Sequence, residues 1–336
     1  VYKRQEEAGR WTALLELMGW GQASLYPTSE GSPYEPFDPT SEITWGQLQV
    51  LSDLLGEPNA ASWAIVATER CLQPHLPPPD VLKTKTRTLR KGDEVDLEAL
   101  GETLAQLGYE RVTTIEQEGS WSRRGDIVDI FPVSSELPVR LEFFGEELDK
   151  LREFDPASQR SLDPVDALRL TPTGFGPLIA DQLRETMPDG LEQLLGSEGT
   201  EQLLNGGTPE GMRRLMGLAW EQPASLLDYL PDTTTVVIDE RRQGLAHGQQ
   251  WLSHVEEHHH DMAAEAGLDE GDRDRLWPAV LHREIEAAYA LTEVFHGFDM
   301  AELLEVDQHP NSFDLASRPV AAYPNQFGKL GELIKG

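Results

Sequence analysis

The stretch RRGDIVDIFPVSSELPVRLEFFG, residues 123–145, places arginine and phenylalanine where a strand in a soluble protein normally presents polar groups to water. Alternation in VRLEFF puts Val139, Leu141 and Phe143 on one face and Arg140, Glu142 and Phe144 on the other. If the all-apolar set faces the core, Arg140 and Phe144 stand on the outer face, roughly 13 Å apart along the strand. Arginines and aromatic rings often anchor protein interfaces, because each combines a large contact area with a directional polar or π interaction. Two readings stand at this level. Either this is a binding edge for another protein, or Phe144 packs beneath a loop or helix while Arg140 pairs with Glu142 or a neighbouring strand.

Other residues could do different chemistry. TTVVIDE ends at Asp239 and Glu240, like the strand that supplies a magnesium-binding aspartate and a catalytic glutamate in nucleotide hydrolases. A lysine-bearing phosphate loop must accompany it, and G-x-x-x-x-G-K-[ST] does not occur in these residues. Gly328-Lys329 is followed by leucine and lacks the upstream glycine. ATP hydrolysis by this chain is therefore not expected, and a buried strand ending in solvated acids accounts for the pattern. His254 and His258 lie four apart on one helical face, a sterically possible metal pair, but beside Glu256 and Glu257 they read as a solvated face. Nothing near Cys71 in sequence would activate it as a nucleophile. Lys83, Lys85, Arg87, Arg90 and Lys91 form a basic cluster, read either as a solvated linker or as a contact for an acidic partner or nucleic acid.

The whole chain limits these options. With 336 residues it exceeds the usual single-core size, and 39% hydrophobic residues can fill real cores. Against 59 acidic side chains stand only 28 basic ones, so the net charge of −31 repels nucleic acid and anionic lipid unless cations are locally concentrated. A single cysteine excludes an internal disulfide and any multi-thiolate zinc site; with no long apolar run or signal pattern, the expected address is cytoplasmic. Both ends read as cut, with residues 1–5 expected to be a foreign tail and GELIKG stopping inside a helical pattern.

The elements that must position these residues fall into three blocks. Trp11, Leu14, Leu15 and Met18 predict a helix over 6–19, ASLYP a strand, TSEITWGQLQVLSDLLG a helix opened by Thr40 or Ser41 and ended by Gly56, and WAIVAT a buried strand. After the proline-rich connector PHLPPPD, Leu97, Leu100, Leu104 and Leu107 predict an amphipathic helix ending at Gly108. Short strands follow at 111–115, 126–131 and 139–144, with a less regular one at 148–154. Beyond TPTGFGP the chain turns helical and acidic, then gives TTVVIDE and a long helix over 243–265. The fold class is α/β with an α+β block in the middle.

The run RRGDIVDIFPVSSELPVRLEFFGEELDKLREFDPASQRSL resembles the second domain of the UvrB-homology module at the N-terminus of bacterial transcription-repair coupling factors, the Mfd family. LYPTSEGSPYEPFDPTSEITWGQLQVL and LLDYLPDTTTVVIDE are similar to its flanking segments. UvrB shares the RGD and FFG core, but would carry a tyrosine-rich hairpin near SPYEPFDP in place of this short loop. The resemblance implies a degenerate RecA-like parallel sheet built from residues 6–85 and 173–336, with an inserted α+β domain at 86–172 that contains an antiparallel sheet and recruits UvrA. It assigns UvrA contacts to Arg124, Arg140 and Phe144, and makes Asp239 and Glu240 a degenerate acidic strand end. The fragment then has no catalytic residue, cofactor or metal of its own. ATP, magnesium, RNA polymerase and double-stranded DNA belong to other parts of the parent translocase, whose C-terminal region masks the UvrA-binding face. The alternative is a UvrB-type ATP-dependent damage-verification subunit.

Overall fold

In a computed structural model the protein is described over residues 2–56 and 63–301. Val1, Gly328-Lys329 and the helical pattern at 331–336 lie outside the described residues.

The chain opens with α1 (Tyr2–Leu17), β1 (Gln22–Tyr26), α2 (Ser41–Leu55) and β2 (Trp63–Ala67). Strands β1 and β2 pair in parallel, with Gln22 opposite Trp63 and Tyr26 opposite Ala67. Thr40 holds the N-cap position of α2 without a side-chain capping bond to the backbone. The connector is not merely a stiff spacer. Leu76 is fully buried and bridges to Ala224, and Pro79 opens a short helix, α3 (Pro79–Lys85), where its missing amide costs nothing.

The middle block begins with β3 (Arg87–Arg90) and α4 (Leu97–Gln106). The Asp96 carboxylate accepts from the Glu98 and Ala99 amides, satisfying two donors that a helix start leaves orphaned. Then come β4 (Glu110–Arg111), β5 (Ser120–Arg124), β6 (Ile127–Phe131), β7 (Val139–Phe144), β8 (Glu147–Phe154), β9 (Ser161–Pro164) and β10 (Ala167–Leu170). Strands β4 to β9 form a six-stranded sheet in sequence order, antiparallel apart from β4–β5, while β10 pairs with β3. The strand expected at 111–115 is only two residues long. The polar segment 120–124 supplies the missing strand instead.

One face of this sheet is sealed. Val128, Ile130, Val139, Leu141, Phe143 and Leu151 pack with Leu100 and Leu104 of α4 and with Leu89 and Leu168 of the antiparallel β3–β10 pair. On the opposite face only one end is covered, by a small cluster of Ile115, Phe131 and Phe154.

The last block holds α5 (Gly176–Thr186), α6 (Leu191–Leu204), α7 (Met216–Ala219), β11 (Thr235–Asp239), α8 (Arg241–Glu265), α9 (Glu270–Leu276), α10 (Ile285–Ala290) and β12 (His296–Met300). Its apolar residues join those of the first block in one core, where Tyr26, Leu48, Leu51 and Leu82 meet Phe175, Ile179, Leu252 and Ile285. Strands β11 and β12 pair in parallel, so the described residues carry two separate parallel pairs rather than one continuous parallel sheet. The mixed α/β class holds, with antiparallel sheets beside the parallel pairs. Both strands expected to be buried are more open. All five residues of β2 are half-buried, and β11 alternates between exposed and half-buried; among the described residues each lies in a two-stranded sheet.

Candidate protein-binding surface

Two tight turns aim the candidate residues. Arg124-Gly125-Asp126-Ile127 joins β5 to β6, and Phe144-Gly145-Glu146-Glu147 joins β7 to β8. Antiparallel pairing puts both turns at the same end of the sheet, where the Phe143 amide donates to the Asp126 carbonyl at 2.9 Å. Each turn begins with a glycine in the left-handed region, φ 64° at Gly125 and 66° at Gly145, which side-chain-bearing residues rarely adopt.

The register then lines up a row on the uncovered part of the sheet face. Arg124 lies opposite Ile127, Ile127 opposite Glu142, and Glu142 opposite Lys150. Lys150 Nζ reaches Glu142 Oε2 at 3.4 Å, so that pair is partly self-satisfied. Two residues beyond Glu142 along β7, where the strand meets its turn opposite Glu147, Phe144 has 83% of its surface in water. Arg124 is exposed and donates one bond, from Nη2 to the Thr113 carbonyl at 3.0 Å; no carboxylate pairs with it among the described residues. Its sequence neighbour Arg123 is engaged on the other face by Glu98 at 2.6 Å.

Arg140 departs from the sequence expectation of an open guanidinium. Its Nε and Nη2 donate to the two oxygens of Asp129 at 2.7 and 2.9 Å, Nη1 points to the Gln159 carbonyl at 3.4 Å, and the group lies 4.7 Å from the Phe154 ring. The hydrogen bond to the buried Asp129 raises the arginine's pKa above its ordinary value. The expectation overlooked that Asp129, directly opposite in the β6–β7 register, is the acid that a buried fork must find. Arg140 therefore pairs with a neighbouring strand, as the second reading of this segment allowed, while Phe144 stands open, as the first reading required.

Sequence reasoning missed Ile127, 39% exposed between Arg124 and Glu142. The signal was present in the two-residue Gly-Asp turn, which fixes the β5–β6 register once SWSRR is accepted as a strand.

The other candidates lie elsewhere and do not converge. Asp239 accepts from the Trp11 indole at 3.2 Å, and Glu240, with φ 49°, precedes α8 and takes a 3.3 Å bond from Gln243. His254 and His258 stack with ring centroids 6.2 Å apart, and no group of three or more His, Cys, Asp or Glu positioned to hold a metal ion occurs among the described residues. Cys71 is buried, and burial first, then the charge of Glu69, pushes its thiol up to about 12, which removes it as a nucleophile. The basic cluster is not a free linker. It sits on α3, β3 and the turn that follows, with Lys85 2.6 Å from Asp181 and Lys91 3.7 Å from Asp149. Among the described residues, no helix is long and apolar enough to cross a membrane.

The row of exposed groups falls inside a stretch with known relatives. Residues 88–174 match the UvrB interaction domain. Over a wider span the chain is similar to transcription-repair-coupling factors. It is 29% identical to that of Bacillus subtilis over 258 residues, 71% of this chain and 21% of the relative. It is 29% identical to that of Haemophilus influenzae over 249 residues, 70% and 21%, and 31% identical to that of Escherichia coli over 213 residues, 62% and 18%. The chain thus spans about a fifth of the length of the curated relatives it matches. Within the UvrB interaction domain, the two turns, the open row and the Arg140–Asp129 pair all belong to the six-stranded sheet.

Proposed function

We propose that this chain is the N-terminal UvrB-like module of a transcription-repair coupling factor and that the block at 86–172 recruits UvrA in transcription-coupled nucleotide excision repair. The observation that carries the reading is Phe144, left 83% exposed at the same end of the sheet as Arg124, which has no carboxylate partner among the described residues, within the stretch that matches the UvrB interaction domain. The ring offers apolar area and Arg124 a planar fork for carboxylates or carbonyls on UvrA. Arg140, on the same face of β7 as Phe144, braces the sheet next to the site, because its donors are taken up by Asp129 and Gln159.

In this reading residues 6–85 and 173–336 together form the scaffold, a degenerate RecA-like domain, and their shared core supports treating them as one unit. The module does no catalysis itself. ATP, magnesium, RNA polymerase and double-stranded DNA are handled by other parts of the parent, whose C-terminal region covers the UvrA-binding face until the motor engages. The absence of a G-x-x-x-x-G-K-[ST] motif from these residues fits that division of labour.

Capture of purified UvrA by the immobilised chain tests the proposal. Wild type retains UvrA and Phe144→Ala does not; equal retention by both would remove the site. ATP turnover by the purified chain would instead favour a UvrB-type enzyme.

A further inference from the structure

A second polar concavity lies in the large core, away from the six-stranded sheet. The loop between β1 and α2 folds over the segment 70–75, and between them they enclose a cleft of about 70 Å³ that also reaches Arg213, Met216 and Trp251. One water needs roughly 10–15 Å³ measured this way, so the space suits a few waters or one tetrahedral oxyanion.

The charges around the cleft are unevenly balanced. Arg70 has acids of its own, Glu30 at 3.4 Å and Glu69 at 3.7 Å, and it stacks 4.4 Å from the Trp251 ring. Arg213 has none of these. Its guanidinium donates to Thr44 Oγ1 at 3.4 Å, Gln47 Oε1 at 3.3 Å and the His75 carbonyl at 3.0 Å, all neutral acceptors, and it lies 4.9 Å from the Phe175 ring. No carboxylate makes an ion pair with it among the described residues; Asp38 accepts from its backbone amide at 3.0 Å, and its charge is near enough to act on the guanidinium without bonding it. Burial lowers the pKa of this guanidinium, the direction expected for a cation short of counter-charge. His75, on the same wall, adds no charge near neutral pH, since burial depresses its pKa to about 4.

Donors converge on the same space. The Ser29 hydroxyl accepts from the Gly31 amide at 3.2 Å and the Ser32 hydroxyl from the Tyr34 amide at 3.3 Å, which leaves both hydroxyl protons available. One carboxylate, Glu35, also faces the cleft and is held by the Ser32 amide at 3.2 Å. At the mouth stands Phe37, 67% exposed.

We propose that this cleft is a binding site for a small oxyanion of the phosphate class, with Arg213 as its counter-charge and Ser29 and Ser32 as donors. The anion is either free or the terminal group of a larger ligand that rests on Phe37. A buried arginine whose guanidinium bonds all go to neutral acceptors gains from an anion it can reach, because charge-assisted bonds strengthen as water is excluded. The site is independent of the UvrA-binding surface and of the acidic strand end at Asp239 and Glu240.

Isothermal titration of the whole chain at fixed ionic strength tests this, with inorganic phosphate in one arm, ATP without magnesium in another and chloride as the control. Phosphate should bind while chloride does not, and tighter binding of ATP would identify the carried form. Arg213→Gln should weaken phosphate by about tenfold or more, the equivalent of one strong charge-assisted bond. Because Arg213 also braces the core, two milder variants are informative. Ser32→Ala should weaken phosphate severalfold and Glu35→Gln should tighten it. No heat with phosphate in the wild type, or a response equal to that of chloride, overturns the site. Unchanged affinity in both Ser32→Ala and Glu35→Gln does so too.

Discussion

Arg140 and Asp129 face each other across β7 and β6 as a two-pronged ion pair, with Nε 2.7 Å from Oδ1 and Nη2 2.9 Å from Oδ2. Asp129 is almost fully buried, its side chain 4% exposed against 19% for Arg140. Removing one partner of such a pair strands a charge in a medium that cannot solvate it. Arg140→Ala should therefore cost about 3 kcal/mol of stability. A double-mutant cycle with Asp129→Ala, read by urea unfolding, should give a coupling above about 1 kcal/mol. A loss under about 0.5 kcal/mol in the single variant would mean that the pair is not structural.

Phe144 should behave in the opposite way. With the ring in water there is little packing to lose, so Phe144→Ala should change stability by no more than about 0.5 kcal/mol. The same change should cost about 2 kcal/mol or more of UvrA affinity, as expected for a central aromatic anchor. Calorimetry of UvrA binding and thermal unfolding, run on the same preparation, separate the two effects.

The turn glycines are testable through backbone strain alone. A Cβ added at Gly125 or Gly145 would meet nothing within 4 Å, so sterics with neighbours cannot explain any loss. Gly125 and Gly145 have φ of 64° and 66°, and alanine there costs about 1 kcal/mol. Gly145→Ala should also weaken UvrA binding, because Phe144 is the residue that the turn aims. A pull-down at several chain concentrations would detect it.

Acid should destabilise the large core. His75 bonds the Tyr26 hydroxyl at 2.6 Å and the Gln73 carbonyl at 2.6 Å, with Arg213 and Asp228 near enough to act on its charge, and burial lowers its pKa to about 4. His282 bonds the Tyr34 hydroxyl at 2.9 Å beside His259, and burial and that neighbour lower it to about 4 as well. Unfolded histidines take up protons near 6.5, before these folded ones do. Stability should thus be full above about pH 6.5, fall as pH drops toward 4 and level off below that. Thermal unfolding between pH 8 and 4 should show this decline, and His75→Gln should flatten it. A midpoint independent of pH over that window would contradict the prediction.

Residues whose structural cause is local were readable from the sequence. Leu100 and Leu104 recur at helical spacing behind Asp96 and before Gly108, and α4 runs Leu97–Gln106. Strand β7 has the expected ends at Val139 and Phe144 because its alternation is unbroken. Strand β8 was harder. Leu148, Leu151 and Phe154 are all buried at a spacing of three, which fits no regular strand, and register shifts next to Glu142 and Arg152 explain it. Strand β5 escaped notice because Ser120 and Ser122, both buried, carry no apolar signal. The partner of Arg140 was hidden for a different reason. Residues 132–138 join β6 to β7 through a connection too long for a two-residue turn to fix the register, and only that register brings Asp129 opposite.

The acidity of the chain bears on the exposed ring as well. A naked phenylalanine is an adhesive spot, and two copies of the protein could bury theirs against each other. At a net charge of −31, however, each copy approaches the other against a strong repulsive field, whereas a partner that presents cationic surface is drawn in. The excess of carboxylates thus acts as a filter on who may touch Phe144, and added salt should blunt it.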